Sequence, residues 1–318
     1  MGGSRGMTVE GDRMELVPLL EAHRRHLWGL GYRLTGSASD ADDLVQDTFE
    51  RALTRPPPDL QRELRPWLTK VALNLGRDIL RRRKRRAYIG PWLPSPVDTE
   101  EALADGTALD GDKVGRYDLL ESVTMGFLVA LEVLSPKQRA VLLLRDVFDY
   151  SGQETADALE IGLSDVKVTL HRARRKLASY DASRIRPSPS LSQRSQESLS
   201  RLLLALGGQD YAAVLDLVAH EAQVFTDGGG EFISARRVIR GRSAAARFLI
   251  GLARKRPPAA AEPVHLNGTP ALLLSYLPAG ARDAPRATIQ VELAPSGGIR
   301  SLYTITASAK LRRLSSLP

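Results

Sequence analysis

The chain contains no cysteine, which excludes disulfides, thiolate metal sites and cysteine nucleophiles together. Aromatic residues are scarce, 5% of 318 residues, whereas 43% are apolar. Cores of that composition are built on Leu, Ala and Val, which suits helical packing. No apolar run approaches the ~20 residues of a membrane span, and the N-terminus has no apolar signal-peptide stretch. A cytoplasmic protein without membrane contact is therefore expected. Of the five histidines, His23 and His26 sit three apart, but no carboxylate or third histidine stands beside them at a ligand spacing. They read as surface residues, and neither a metal nor a cofactor is expected.

Positive charge is in excess. The formal net charge is +8 and the isoelectric point is near 9.9. A polyanionic partner follows, although charge alone does not choose between nucleic acid and a membrane surface.

The length allows two or three domains, and the texture changes along the chain. Residues 1–13 read as a disordered lead-in. Helical patterning runs over 14–86: one helix at Met14–Leu34, a second after the GSASD turn of Gly36–Asp40, and a third from Leu64 to Arg86. The prolines at 56–58 end the second. Residues 87–116 read as a linker, acidic between Asp98 and Asp112. Helices resume over 117–180, with a capping box at Ser135–Gln138 before Arg139–Val147. A Pro/Ser-rich tether is expected over 181–195. Residues 196–318 read as an α+β domain. It has helices at Glu197–Leu206, Tyr211–His220 and Ser243–Arg254, and short strands at Ala222–Thr226, Glu231–Ser234, Ala271–Tyr276, Thr288–Leu293 and Ile299–Ile305.

The segment Tyr150–Leu177 has the length and polarity of a helix-turn-helix. In its second helix Val166, Leu170, Ala173 and Leu177 recur at the spacing of one buried stripe. Ser164, Asp165, Lys167, Thr169, His171, Arg172, Arg174 and Arg175 are then left to meet phosphates and base edges. A surface helix with a solvated basic face is the plainer alternative. A second basic helix weighs against it. RDILRRRKRR, Arg77–Arg86, repels itself unless it lies along a phosphate backbone, where each neutralised phosphate releases counterions. Asn74, Arg77 and Asp78 are expected to approach bases, and Arg81, Arg82, Arg83, Lys84 and Arg85 to contact phosphates. The helix between them, SDADDLVQDTFERAL, has the opposite sign. Acids in a first turn complement the helix dipole, but Asp40, Asp42, Asp43, Gln46, Asp47 and Glu50 also form a face better suited to a basic protein than to DNA. Leu44, Val45, Thr48 and Phe49 are its packing side.

These three segments, in this order and spacing over residues 14–180, resemble the extracytoplasmic-function (ECF) sigma factors of the sigma-70 family. The resemblance implies two all-α sigma domains, the second with the helix-turn-helix. It also implies that the acidic helix docks on the clamp helices of the β′ subunit of core RNA polymerase. The Leu64–Arg86 helix would read the −10 promoter element and the helix-turn-helix the −35 element. The turn departs from the family pattern: Glu160 and Gly162 stand where Gly and Ser are usual, with Ser164 as a displaced N-cap. A conventional helix-turn-helix regulator of the LuxR type is the other reading, but it explains neither the acidic helix nor the Arg77–Arg86 run.

GPWLPSPV (Gly90–Val97) and FTDGGGEFISARRVIRGRSAAARFLIGLAR (Phe225–Arg254) resemble the subgroup that carries a fused, cone-shaped SnoaL-like domain. The resemblance implies that this domain regulates the sigma part without a separate anti-sigma factor. Trp92, Leu93, Pro94, Asp227, Gly228, Gly229, Gly230 and Glu231 are the regulatory candidates. Glu231 replaces a lysine of the subgroup motif and Ser95 a glutamate, so any interdomain lock needs other groups. Such cones also house enzymes or a small ligand. His220, Asp227, His265 and Tyr303 are the residues such chemistry would use, but they form no recognisable catalytic constellation, and no enzyme is expected.

Overall fold

A computed structural model of the chain describes residues 9–56, 64–85, 88–103, 116–277 and 280–316. The single helix expected over Met14–Leu34 is two, α1 (Val9–Ala22) and α2 (Arg24–Thr35). The break is at His23, whose N–H bonds back to Leu20 O at 2.9 Å. Helix begins inside the expected lead-in, and residues 1–8 lie outside the described residues. Gly36, left-handed at φ 70°, ends α2. Ser37 then caps α3 (Ala38–Thr54) by accepting from the Asp40 N–H. The long basic helix α4 (Leu64–Arg85) completes the first bundle; Arg86 is outside the described residues.

After the linker segment and the short α5 (Thr99–Leu103), the stretch 117–134 is not one continuous helix. It comprises a 3₁₀ turn at Glu121–Val123, α6 (Met125–Ala130) and a second turn at Leu131–Val133. α7 (Pro136–Asp146) starts with the capping box of Ser135 and Gln138. α8 (Gly152–Leu159) has another, formed by Ser151 and Glu154. α9 (Leu163–Lys176) begins from Gly162 rather than from Ser164, and Gly162 supplies no side-chain cap. α10 (Ala178–Ser183) follows.

The helical parts share one apolar core. Leu27, Leu44, Leu68 and Leu73 from the first bundle join Phe127, Leu142, Val166 and Leu170 from the second. His26 lies at this seam and is buried, contrary to the surface reading. It bonds Thr69 Oγ1 at 3.2 Å and meets the Phe148 ring edge-on at 6.0 Å.

The expected tether is also mostly helix. α11 (Pro189–Gly207) starts inside it, with Ser188 as N-cap and Pro189 in the first turn, a proline position that favours helix initiation. Ser195, expected in the tether, is buried. α12 (Tyr211–Leu217) leads into β1 (Val218–Asp227), so His220 is on a strand. β2 (Ile239–Arg240), α13 (Arg242–Lys255), β3 (Ala260–Leu266), β4 (Thr269–Ser275), β5 (Arg286–Leu293), β6 (Ile299–Ile305) and α14 (Ser308–Leu311) follow, and then a 3₁₀ helix at Arg312–Ser316. No strand forms at Glu231–Ser234, and β2 and β3 have no counterpart among the expected strands. Among the described residues the strands form one sheet in the order β2-β1-β6-β5-β4-β3. Its β1–β6 pair is parallel and its other pairs antiparallel.

Strand alternation gives this sheet two different faces. One carries Val224, Leu272, Leu274, Val291 and Leu302 and packs on Leu199, Leu202, Val214 and Ala245 of α11–α13. That fills the cone with apolar side chains. The other face, bearing Tyr303, Ile305 and Ala271, packs on Leu93 of the linker and Met125 of α6. This is the α+β domain expected from the sequence, joined to an all-α first half. No helix among the described residues is long and apolar enough to cross a membrane.

Candidate nucleic-acid interface

The acidic helix presents the face the sequence predicts. Asp42, Asp43, Gln46, Asp47 and Glu50 are exposed, Asp40 is half-buried, and Leu44, Val45 and Thr48 are buried beneath them. Burial raises the Asp40 carboxyl above its ordinary range, against the lowering effect of nearby Arg83 and Arg82. α3 and α4 therefore run side by side with opposite signs. Arg82 shares a cleft with Asp43 and Asp47.

Along α4 the basic residues divide. Arg81, Arg82, Lys84 and Arg85 are exposed, with Arg81 paired to Asp78 at 2.8 Å. Arg77 is half-buried, and burial lowers its pKa; one of its guanidinium nitrogens reaches Asn74 Oδ1 at 3.4 Å. Arg83 is not on an open phosphate-facing surface. It donates to Thr35 O at 2.5 Å and to Glu132 at 3.0 Å, and its guanidinium lies 3.8 Å over the Trp92 ring. Burial lowers its pKa too. It ties the first bundle, the linker and the second bundle together.

In the helix-turn-helix, Val166, Leu170, Ala173 and Leu177 are buried as one stripe. Ser164, Lys167, His171, Arg172 and Arg175 are exposed. Three expected contacts are otherwise engaged. Thr169 is buried and lies 3.3 Å from Asp165. Asp165 itself pairs with Lys137. Arg174 makes a two-pronged bond to buried Asp146 at 2.9 and 2.5 Å, a geometry that fixes α9 on α7. Glu160 occupies a left-handed conformation at φ 55°, where Gly is favoured. From there it pairs with Lys70 of α4 at 2.8 Å.

The linker is docked, and its candidates converge. Leu93 N–H donates to Asp227 Oδ2 at 2.8 Å, while Tyr88 donates to Asp227 Oδ1 at 2.5 Å. Lys310 Nζ bonds Asp227 Oδ2 at 2.6 Å and donates to Leu93 O. Its ammonium lies 4.2 Å over Trp92. Desolvation draws the Lys310 pKa down to about 8, against the attraction of Asp227. Burial and Asp227 push the Tyr88 hydroxyl far up. Asp227 also holds the Gly229 N–H at 2.9 Å, fixing the turn. Gly229 and Gly230 both need positive φ, and a Cβ at Gly229 would strike Ala307 at 2.9 Å. Glu231 points elsewhere: it accepts from Ser308 N and Oγ at 3.2 and 2.9 Å. The linker thus meets the C-terminal domain through Asp227 and Lys310.

A second junction was not foreseen. The β3–β4 hairpin tip, Asn267-Gly268, enters between all the other parts. Asn267 Nδ2 donates to Tyr32 Oη of α2 and, at 3.0 Å, to Val123 O. Its Oδ1 accepts from Val97 N–H at 3.3 Å, and its own N–H donates to Val97 O at 2.9 Å. Tyr32 in turn donates to Ser95 O at 2.7 Å. Asn-Gly is a strong hairpin signal and was the available clue. Arg313, also unforeseen, reaches Asp42 on the acidic face and lies 5.1 Å over the Trp28 ring. Of the four residues considered for catalysis, His220 and His265 are exposed, and Asp227 and Tyr303 lie on the face turned to the linker and α6. They are not brought together within the cone.

Comparison with known proteins agrees with this architecture. Residues 19–86 match the Sigma-70 region 2 model, and residues 125–177 match the Sigma-70, region 4 model. The chain is 32% identical to the ECF RNA polymerase sigma factor SigJ of Mycobacterium tuberculosis, over 76% of this chain and 74% of that protein. It is 34% identical to the ECF RNA polymerase sigma factor SigG of the same species, over 64% of this chain and 58% of that one. The crystal structure of M. tuberculosis SigJ superposes with a TM-score of 0.72 at 26% identity, covering 93% of this chain and 98% of that one.

Proposed function

Because this chain belongs to the extracytoplasmic-function sigma factors of the sigma-70 family, which bind RNA polymerase and direct transcription from promoter DNA, we propose that the described conformation is its closed, inactive state. In this reading the C-terminal α+β domain holds the sigma domains shut. The observation that carries the proposal is the packing of the −10 reading helix α4 against the helix-turn-helix. Lys70 is 2.8 Å from Glu160, within one continuous core. Promoter elements centred on −10 and −35 are about 25 base pairs apart, roughly 85 Å along B-DNA. Helices in contact cannot span that distance, so promoter reading requires the two bundles to separate.

Three contacts of the C-terminal domain oppose separation. Asn267 bonds α2, the linker and the α6 region together. Asp227 and Lys310 hold the linker. Arg313 covers Asp42, part of the face assigned to the clamp helices of the β′ subunit. In the open state α3 docks on polymerase, Arg82, Lys84 and Arg85 line the −10 DNA, and Lys167, His171, Arg172 and Arg175 face the −35 element. Arg83 is released for DNA only when Trp92 leaves it.

The absence of cysteine permits a direct test. Asp98 and Leu266 form an isolated antiparallel bridge, flanked by the Asn267 N–H to Val97 O bond. They are therefore a non-hydrogen-bonded pair, with Cα atoms about 4.5 Å apart, a spacing that accepts a disulfide. The double variant Asp98→Cys, Leu266→Cys carries no other thiol. Oxidised, it is expected to fail in run-off transcription with core polymerase; reduced, it regains activity. Equal transcription in both states refutes the proposal.

A further inference from the structure

The buried stripe of α9 has a counterpart on the opposite side of the helix. Val166, Leu170, Ala173 and Leu177 face the core. Ser164, Val168, His171 and Arg175 repeat the same spacing two residues earlier, about 200° around a helix, and all four are exposed. They therefore point directly away from the core. Lys167 and Arg172, also exposed, fall on opposite sides of this second stripe. The acid of α9, Asp165, is turned to Lys137. The open face is thus a strip with valine near its centre and a cation along each edge.

Packing does not account for valine at this place. Val168 is 48% exposed, and it joins neither the helical core nor the residues packed against that core. Leu163, the other exposed apolar residue of α9, differs. It lies against Gly152 of α8, where an added Cβ would come within 2.9 Å of its side chain. A β-branched side chain loses χ1 freedom in a helix and lowers its propensity. Val168 therefore costs the helix a little and gains no burial within the chain.

The complement of this strip is a surface with negative walls and an apolar floor. The major groove of B-DNA is such a surface. Phosphates line both rims, and thymine is the base that places a methyl group on the floor. In a helix-turn-helix the N-terminal part of the recognition helix meets the base edges, and Val168 lies in the first half of α9. Lys167 and Arg172 suit phosphates or guanine, and neither reads a methyl group.

We infer that Val168 contacts the 5-methyl group of a thymine and makes the −35 element thymine-specific at one base pair. The inference rests on the proposed reading of that element by α9.

Duplexes randomised over the −35 region are selected with the full chain assembled on core polymerase. Each thymine of the enriched sequence is then replaced in turn by uracil, which removes the methyl group and keeps every hydrogen-bonding group. For the unaltered chain, one replacement is expected to weaken promoter binding about fourfold, the weight of burying a single methyl group. Val168→Ser, which removes both valine methyls at an exposed position, is expected to bind thymine and uracil equally at that base pair. Enrichment without a uracil-sensitive thymine, or a Val168→Ser protein that keeps the full uracil effect, overturns the contact while −35 reading stands. No enrichment over the −35 region overturns both.

Discussion

Replacing Asn267 by Gly tests the closed state at its most connected point. The residue sits at φ 53°, a backbone conformation Gly adopts without cost, so the hairpin turn survives and only the side chain is lost. Three hydrogen bonds go with it, to Tyr32 Oη, Val123 O and Val97 N–H. All lie at buried atoms, and Val97 and Val123 are themselves buried. A hydrogen bond contributes about 1 kcal/mol net, and a buried group left unpaired costs about 1–3 kcal/mol. A loss of roughly 3 kcal/mol from the closed state follows. In the open state the same side chain faces water, where its removal changes little. At about 1.4 kcal/mol per decade the open fraction rises about hundredfold. A partner that binds only the open form sees its apparent Kd fall in proportion, until the open form predominates. The assay is titration of core polymerase with labelled protein, with circular dichroism and thermal unfolding as checks on folding. Polymerase affinity within twofold of the unaltered chain, with the fold intact, refutes the hairpin as a latch.

Three further outcomes follow from the same contacts. Docking of the linker over Lys310 lowers its pKa from the ordinary 10.5 to about 8, so closure releases a proton between those values. The closed state therefore gains stability as pH rises through that window and loses it as pH falls through 8. Protease protection of the linker should increase from pH 7.5 to 9.5, and Lys310→Met should remove the change; a pH-independent unaltered chain contradicts this. Arg82→Ala and Arg85→Ala should each flatten the salt dependence of promoter binding by about 0.9 in log–log slope. An unchanged slope takes those residues off the DNA. Asp43→Lys with Asp47→Lys should abolish polymerase binding, whereas Arg313→Glu, which uncovers Asp42, should strengthen it, and weakened binding by Arg313→Glu would count against the masking role.

The elements with local signals were legible. The stripe of Val166, Leu170, Ala173 and Leu177 follows from helical period, and the Ser135–Gln138 cap from its residue types. So does the exposed face of α3. What failed was long-range. Thr169 and Arg174 are at positions a helical wheel leaves open, yet Asp165 lies one turn before Thr169 and buried Asp146 across α7 takes Arg174. Arg83 belongs to a basic run, and only the fold brings Trp92, Thr35 and Glu132 around it. The tether was misread because Pro and Ser at Pro187–Ser190 suit both a flexible segment and a helix start. Here Leu191, Ser195 and Leu199 follow at helical spacing. Lys310 lies in ITASAKL, Ile305–Leu311, which resembles the subgroup's terminal NPDKL only loosely, and Arg313 lies outside it; both matter because this segment returns to the linker and to α3.

The two faces of the C-terminal sheet bear on the proposed opening. The face under α11–α13 carries the apolar cluster of Val224, Leu272, Leu274, Val291 and Leu302, so the domain has its own core. On β5 the opposite face places Thr288, Gln290 and Glu292 at alternate positions. Thr288 Oγ1 and Gln290 Oε1 are buried without partners among the described residues. Unpaired buried groups of this kind cost about 1–3 kcal/mol each, a penalty that water removes on separation. Asn267, Asp227 and Lys310 oppose that release with directional bonds, and their loss is also compensated by hydration. Beside the apolar cluster of Leu93, Met125, Tyr303 and Ile305, the contact thus carries buried polar groups and polar fasteners, and a contact so mixed is weaker than a wholly apolar core of the same area. Such a contact is in keeping with the proposed opening, in which polymerase or DNA competes for the bundles.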